Sequence, residues 1–103
     1  HDIRVDEKIV QYLTALVHCT REHEDLILGG SPRATIALYR ASQALAAIQG
    51  RDYVIPDDIQ HIAPPVLSHR MIIRPESRLQ KITPEMVMKE VLEIVPVPTH
   101  RAG

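Results

Sequence analysis

The spacing of apolar residues divides the chain into four stretches of helical period and two short apolar runs. After Asp6, Ile9, Leu13, Leu16 and Val17 recur at intervals of three and four with Tyr12 beside them, which predicts an amphipathic helix capped by Asp6. A second helix is predicted from residue 32 to about 49. Ala34, Ala37, Leu38, Ala41, Leu45 and Ile48 form its inward stripe, and Gly50 is its stop. Pro56 in the first position, with Asp57 and Asp58 in the first turn, opens a third helix that turns Ile59, Ile62 and Ala63 inward. Pro64 and Pro65 are expected to kink or break it, because each removes a backbone donor and crowds the preceding turn. Thr83 and Pro84 repeat the cap-then-proline signal for a fourth helix carrying Val87, Val91, Ile94 and Val95, which Pro96 ends. The runs 26–28 and 71–73 are too short to assign by period; they either pair as a small β element or lie extended over the helices. The expected fold class is all-α, a small four-helix bundle with that two-stranded element left open.

Composition narrows the picture. A chain of 103 residues fits one domain and leaves no room for a nucleotide-binding α/β domain besides. With no Trp, no Phe and three Tyr, its core has to be built from Leu, Ile, Val and Ala. The net charge of −1 is mixed along the chain and lacks the basic excess that phosphate-backbone binding requires, so no nucleic-acid partner is expected. One cysteine excludes an internal disulfide. No apolar run approaches the roughly 18 residues of a membrane span, and no signal segment opens the chain. The expectation is a soluble, cytoplasmic, single domain over 1–103, with about 6–98 ordered and 99–103 a tail. The first residue is His1 and not Met, so a fragment of a larger protein is expected.

Candidate chemistry is sparse. His18, Cys19 and His23 cluster at the end of the first helix, but His18 and His23 are five apart and diverge on the helix, unlike the i,i+4 pair of a zinc helix. No metal site is expected. Cys19 reads as a small buried hydrophobe, since no second motif supports a nucleophile. Asp57 and Asp58 point about 100° apart and already have a reason to sit at a helix start, so they read as structural and not as a catalytic pair. Gly29 and Gly30 precede a helix as phosphate-loop glycines do, but the Lys and Ser or Thr of a P-loop are absent.

One residue resists a structural reading. Ser31 and Pro32 are a cap and a first helical residue, and Arg33 follows at once. A helix N-terminus carries about half a positive charge, so a cation there costs roughly 0.3–1 kcal/mol unless an anion compensates. The anion is either an upstream acid, Glu22, Glu24 or Asp25, or something outside the chain.

The run GGSPRATIALYRASQALAAIQGRDYVIPDDIQHIAPPVLSHRMII closely resembles the C-terminal lid of MoxR-type AAA+ ATPases, whose pattern reads Gly-Ala-Ser-Pro-Arg-Ala, an Ala- and Leu-rich helix, then Gly-Arg-Asp-Tyr-Val-Thr-Pro-Asp-Asp. The likeness continues through Leu67, Ser68, His69 and Arg70 to the tail ITPEMVMKEVLEIVPVP. It departs from the pattern at Gly30, which loosens the loop, and at Ile55, which removes a hydroxyl cap from the third helix. The resemblance implies a lid bundle within a larger ATPase, with Arg33 as the sensor 2 arginine that reaches the γ-phosphate of ATP on the neighbouring core domain. It implies Ser31, Pro32 and Arg33 as nucleotide-binding residues, with Arg70 a second candidate, and ATP and Mg2+ bound by the full-length protein but not tightly by this chain. It further implies a homo-oligomeric ring, a hexamer, with chaperone-like remodelling activity and a von Willebrand A-domain protein as partner. The segment Arg-Asp-Tyr-Val-x-Pro-Asp-Asp also resembles histone-fold-like modules, which leaves an independent adaptor that dimerises without nucleotide as the alternative. A P-loop, a Walker B acid pair and an arginine finger in the coding sequence upstream would decide for the lid.

Overall fold

The structure, a computed structural model, describes residues 2–28 and 32–98, with Leu28 described in its backbone only. Five helices and two short strands alternate as α1 (Glu7–Arg21), β1 (Leu26–Leu28), α2 (Pro32–Ile48), α3 (Pro56–Ser68), β2 (Ile72–Ile73), α4 (Pro75–Leu79) and α5 (Pro84–Ile94). The architecture is a mostly helical bundle in which α2 packs most extensively on α3, α5 lies against α3 and α1, and the strands form an antiparallel ribbon.

α1 forms where the 3.6-residue pattern demands it and buries Ile9, Tyr12, Leu13, Leu16 and Val17. Asp6 stands at its cap position, but its side chain makes no capping hydrogen bond. Its carbonyl instead accepts the N–H groups of Ile9 and Val10, so only the backbone part of the expected cap forms. Upstream, Arg4 pairs in parallel with Tyr53; its N–H donates to Asp52 O at 2.8 Å and its carbonyl accepts from Val54 N–H at 2.9 Å.

In α2 the buried residues are Ala34, Leu38, Ser42 and Ala46, spaced by four. The stripe is narrower and slightly rotated from the expected one: Ala37, Ala41 and Leu45 flank it half-buried, and Ile48 is 81% exposed. Small residues at this contact let the α2 and α3 backbones approach, and Ser42 satisfies its hydroxyl internally by donating to Tyr39 O at 2.7 Å. The helix ends as expected at Gly50, whose φ of +80° is the left-handed conformation that glycine takes without strain. Gly50 N–H bonds Ala47 O and Arg51 N–H bonds Ala46 O, the paired bonds of a Schellman end.

α3 corrects one expectation. It runs without interruption through Pro64 and Pro65 to Ser68. The prolines sit on its outer side, half-buried and exposed, where the carbonyls they leave without a helical donor, Gln60 and His61, are themselves not fully buried. Ile59, Ala63 and Leu67 on the inner side are completely enclosed, and that packing holds the helix together.

The two short apolar runs do pair, with Leu26 opposite Ile73 and Leu28 opposite Ile72 across an irregularity in register. Leu26 and Ile73 face the core. α4 was not expected. It ends on Lys81 at φ 67°, with Ile82 N–H returning to Ser77 O and Lys81 N–H to Arg78 O, the same end as at Gly50 but built on an L-residue. α5 is capped as predicted, Thr83 Oγ1 accepting from Met86 N–H at 3.2 Å, and it buries Val87, Met88 and Val91. Val95 is buried beyond its end, whereas Ile94, expected inward, is 60% exposed because the helix stops there and the chain turns away. No helix among the described residues is long and apolar enough to cross a membrane.

Candidate functional site

The ribbon is what relates α2 to the end of α3. Leu28, the last residue of β1, lies opposite Ile72, the first of β2, so the strand end that precedes α2 in the chain and the strand start that follows α3 lie side by side. Arg33 stands in the first turn of α2, and Arg70 stands between α3 and β2. Ser31, with Gly29 and Gly30, lies outside the described residues.

At the start of α2, Ala34 is fully buried and anchors the first turn, while Pro32 and Arg33 are exposed. The first turn contains no acidic residue. Among the described residues no hydrogen bond or ion pair engages the Arg33 side chain. Of the upstream acids, Asp25 is engaged elsewhere: its carboxylate accepts from Ser77 Oγ at 2.6 Å and faces His23. Arg70 donates its N–H to Leu67 O at 3.0 Å, and its exposed side chain likewise has no ion pair among the described residues. A guanidinium beside a helix N-terminus combines a fork of donors with the dipole field, and both act on one anion.

The other end of α2 carries the most ordered polar cluster. Arg51 donates through its two terminal nitrogens to both oxygens of Asp58, at 2.8 and 2.7 Å, and also to Tyr53 O and Gln49 Oε1. Its guanidinium lies 5.8 Å from the centre of the Tyr53 ring. Asp58, whose side chain is 3% exposed, accepts in addition from Ile55 N–H at 2.9 Å. Burial pushes the Asp58 carboxyl up, but the Arg51 and Ile55 hydrogen bonds and the Arg51 and His61 charges outweigh it and hold it below the usual carboxylate range. The hydrogen bond to Asp58 raises the Arg51 guanidinium in turn. Thus Asp58 is structural, as its place in the first turn suggested, and it supplies at Ile55 the reciprocal half of a capping box without the missing hydroxyl. The pairing of Arg51 with Asp58 escaped the sequence reading, although Gly-Arg seven residues before an acid at a helix start is its visible trace.

His23 was considered as a metal ligand and is found in a protein-only network. Its ring is 7% exposed; Nε2 bonds Glu90 Oε1 on α5 at 2.5 Å, and Nδ1 accepts from Asp25 N–H at 3.1 Å. Among the described residues no group of three His, Cys, Asp or Glu side chains is arranged to hold a metal. Burial and the nearby Glu90 charge push the half-buried Cys19 thiol up, away from the thiolate a nucleophile needs.

Comparison with known proteins adds the following. A family model described as the AAA lid domain matches residues 18–91. Uncharacterized protein YeaC of Bacillus subtilis strain 168 is 45% identical over 102 residues, which is 99% of this chain and 32% of that protein. Chaperone MoxR1 of Mycobacterium tuberculosis is 36% identical over 107 residues, 95% of this chain and 28% of the relative. A crystal structure from Cytophaga hutchinsonii, described as a candidate ATPase, superposes with a TM-score of 0.89 at 30% identity, covering 95% of this chain and 32% of the other. The chain spans about a third of the length of the proteins it matches.

Proposed function

The chain belongs to the AAA lid domain family, with relatives named MoxR, and on that premise we propose that it closes over the nucleotide of an ATPase core domain and presents Arg33 to the γ-phosphate. The observation that carries this reading is the state of Arg33: an exposed cation in the first turn of a helix that has no acid there and no partner for it among the described residues. The unfavourable proximity of Arg33 to the helix dipole is relieved only when a polyanion arrives, and then both attract it. Pro32 opens that helix, and on this reading Ser31 before it and Arg70 after α3 are the further residues that meet the nucleotide. Loss of the γ-phosphate on hydrolysis removes the partner of Arg33 and releases the lid, which converts nucleotide state into a change of domain angle.

The other parts of the proposal rest on the resemblance to MoxR-type ATPases. The full-length protein binds ATP with Mg2+, forms a hexameric ring and acts on client proteins as a chaperone-like remodeller, alongside a von Willebrand A-domain partner. On this reading Mg2+ is ligated by the core domain together with the nucleotide. The lid reading is favoured over the adaptor alternative by the family match over residues 18–91, which includes the Arg-Asp-Tyr-Val segment.

The test is steady-state turnover of the full-length ATPase. Arg33→Ala is expected to lower kcat by roughly 100-fold, the scale of removing one donor aimed at developing charge, with the ring still assembled. Unchanged turnover would remove Arg33 from the site.

A further inference from the structure

α5 presents an open groove of about 430 Å³ toward the loop before β1 and the turn after α4. Its apolar lining is Ile82, half-buried, Val87, fully buried, and Met86, 50% exposed. Around these stand the carboxylates of Asp25, Glu90 and Glu93 against one ammonium, Lys89. The Arg33 site uses none of these residues.

We propose that this groove docks an extended peptide segment of another protein, seating an aliphatic side chain beside Met86 and lysine or arginine side chains against Glu90 and Glu93. Three features of the groove select this occupant. A thioether is flexible and polarizable and adapts to aliphatic groups of varied shape, so an exposed Met suits a surface that takes more than one sequence. The excess of carboxylates selects cations, and it opposes a second copy of the same groove, which would bring like charges together. Glu90 is also held before a partner arrives, because His23 Nε2 fixes its Oε1 from a nearly buried position. Spacing then sets the register. Along a helix Glu90 lies about 6 Å and Glu93 about 10 Å beyond Met86, all within one broad face. An extended chain returns side chains to one side every 6.6 Å or so, so in Leu-Ser-Lys-Ser-Lys the first lysine falls at Glu90 and the second, about 13 Å along, reaches back roughly 3 Å to Glu93 on its flexible stem.

The probe is that peptide carrying fluorescein, titrated with the 103-residue chain at low salt and followed by anisotropy, with Leu-Ser-Glu-Ser-Glu as its counterpart. Saturable binding of the lysine peptide alone is expected. Glu93→Lys should weaken it about 10-fold, Lys89→Glu should tighten it about 3-fold, and Met86→Ser should weaken it about 5-fold with the salt dependence unchanged. All three side chains are exposed, so the fold survives, and circular dichroism verifies it. Glu85→Lys, on the same helix but outside the groove, should change the affinity less than about twofold. Absence of binding overturns the proposal. So does an equal response to Glu85→Lys and Glu93→Lys, which would reduce the effect to diffuse charge, or indifference to Met86→Ser. Sedimentation of the chain alone covers the remaining occupant: self-association abolished by Met86→Ser would assign the groove to a second copy and would also overturn it.

Discussion

The two ends of α2 carry one arginine each, and among the described residues only one of them finds partners. Arg51, just past the C-terminal end, donates to both oxygens of a buried carboxylate, to two further acceptors, and lies over an aromatic ring. Its location also agrees with the dipole, which welcomes a cation at a helix C-terminus. Arg33, in the first turn, is exposed, opposed by the dipole and unmatched by any acid in that turn. The same residue type therefore serves two purposes that can be told apart by where its hydrogen bonds end. A guanidinium satisfied inside the fold is part of the fold. On the function proposed above, one left without an internal partner at a helix start is matched to an anion that comes from elsewhere.

The largest effect that tests this contrast is at Arg51. Arg51→Ala leaves the Asp58 carboxylate buried with the Ile55 N–H as its remaining hydrogen bond, and is expected to lower the stability of the chain by about 3 kcal/mol, read as a shift in urea midpoint. Arg51→Lys should recover only part of this, since an ammonium cannot reproduce the two parallel bonds. If Arg51→Ala were as stable as the wild type, the two ends of α2 would not differ in the way described.

A smaller effect sharpens the same point through pH. The folded state holds Asp58 below its ordinary value near 3.9, so the unfolded chain binds the proton more readily. This contribution to stability is therefore fully present above about pH 4 and is lost as pH falls through the lowered folded value. In Arg51→Ala the burial of Asp58 remains while its main partner is gone, so its carboxyl should move up, and acid should relieve the variant where it weakens the wild type. The stability difference between the two proteins should accordingly shrink between pH 7 and pH 3, with the other carboxylates cancelling in the difference. A constant difference would mean that Arg51 stabilises through its packing and not through the Asp58 charge.

How much of this was legible beforehand follows from the length of each signal. α1, α2, α3 and α5 each repeat an apolar period over several turns and carry a cap or proline at the start, so their positions could be read from the residues alone. α4 has five residues, too few for a period to show, and only Pro75 followed by Glu76 hinted at it. The errors at Ile48 and Ile94 share a cause: both lie in the last position of a helix, where the period still predicts burial but no neighbouring element remains to provide it. Pairing of 26–28 with 71–73 depends on a contact between segments more than forty residues apart, which no local pattern contains. At the candidate site, the conflict between Arg33 and the helix dipole was visible in the residues because it is local. The pairing of Arg51 with Asp58 was not, since it forms only when the turn between α2 and α3 has closed.

The smallest predicted effect has the most unusual sign. If Arg33 awaits an anion, Arg33→Ala in the 103-residue chain deletes an unfavourable contact with the dipole and installs the strongest helix former, so stability should hold or rise by up to about 1 kcal/mol at low salt. Added chloride should diminish that gain by screening the charge. If instead the Arg33 stem packs on the bundle, the substitution should cost on the order of 1 kcal/mol, the opposite direction. Sulfate supplies an internal control. An anion seated at the start of α2 binds the folded chain alone and should raise the urea midpoint of the wild type beyond that of the variant, over and above the general effect of sulfate on both. A less stable variant with the same sulfate response would make Arg33 a structural residue like Arg51 and would erase the contrast between the two ends of the helix.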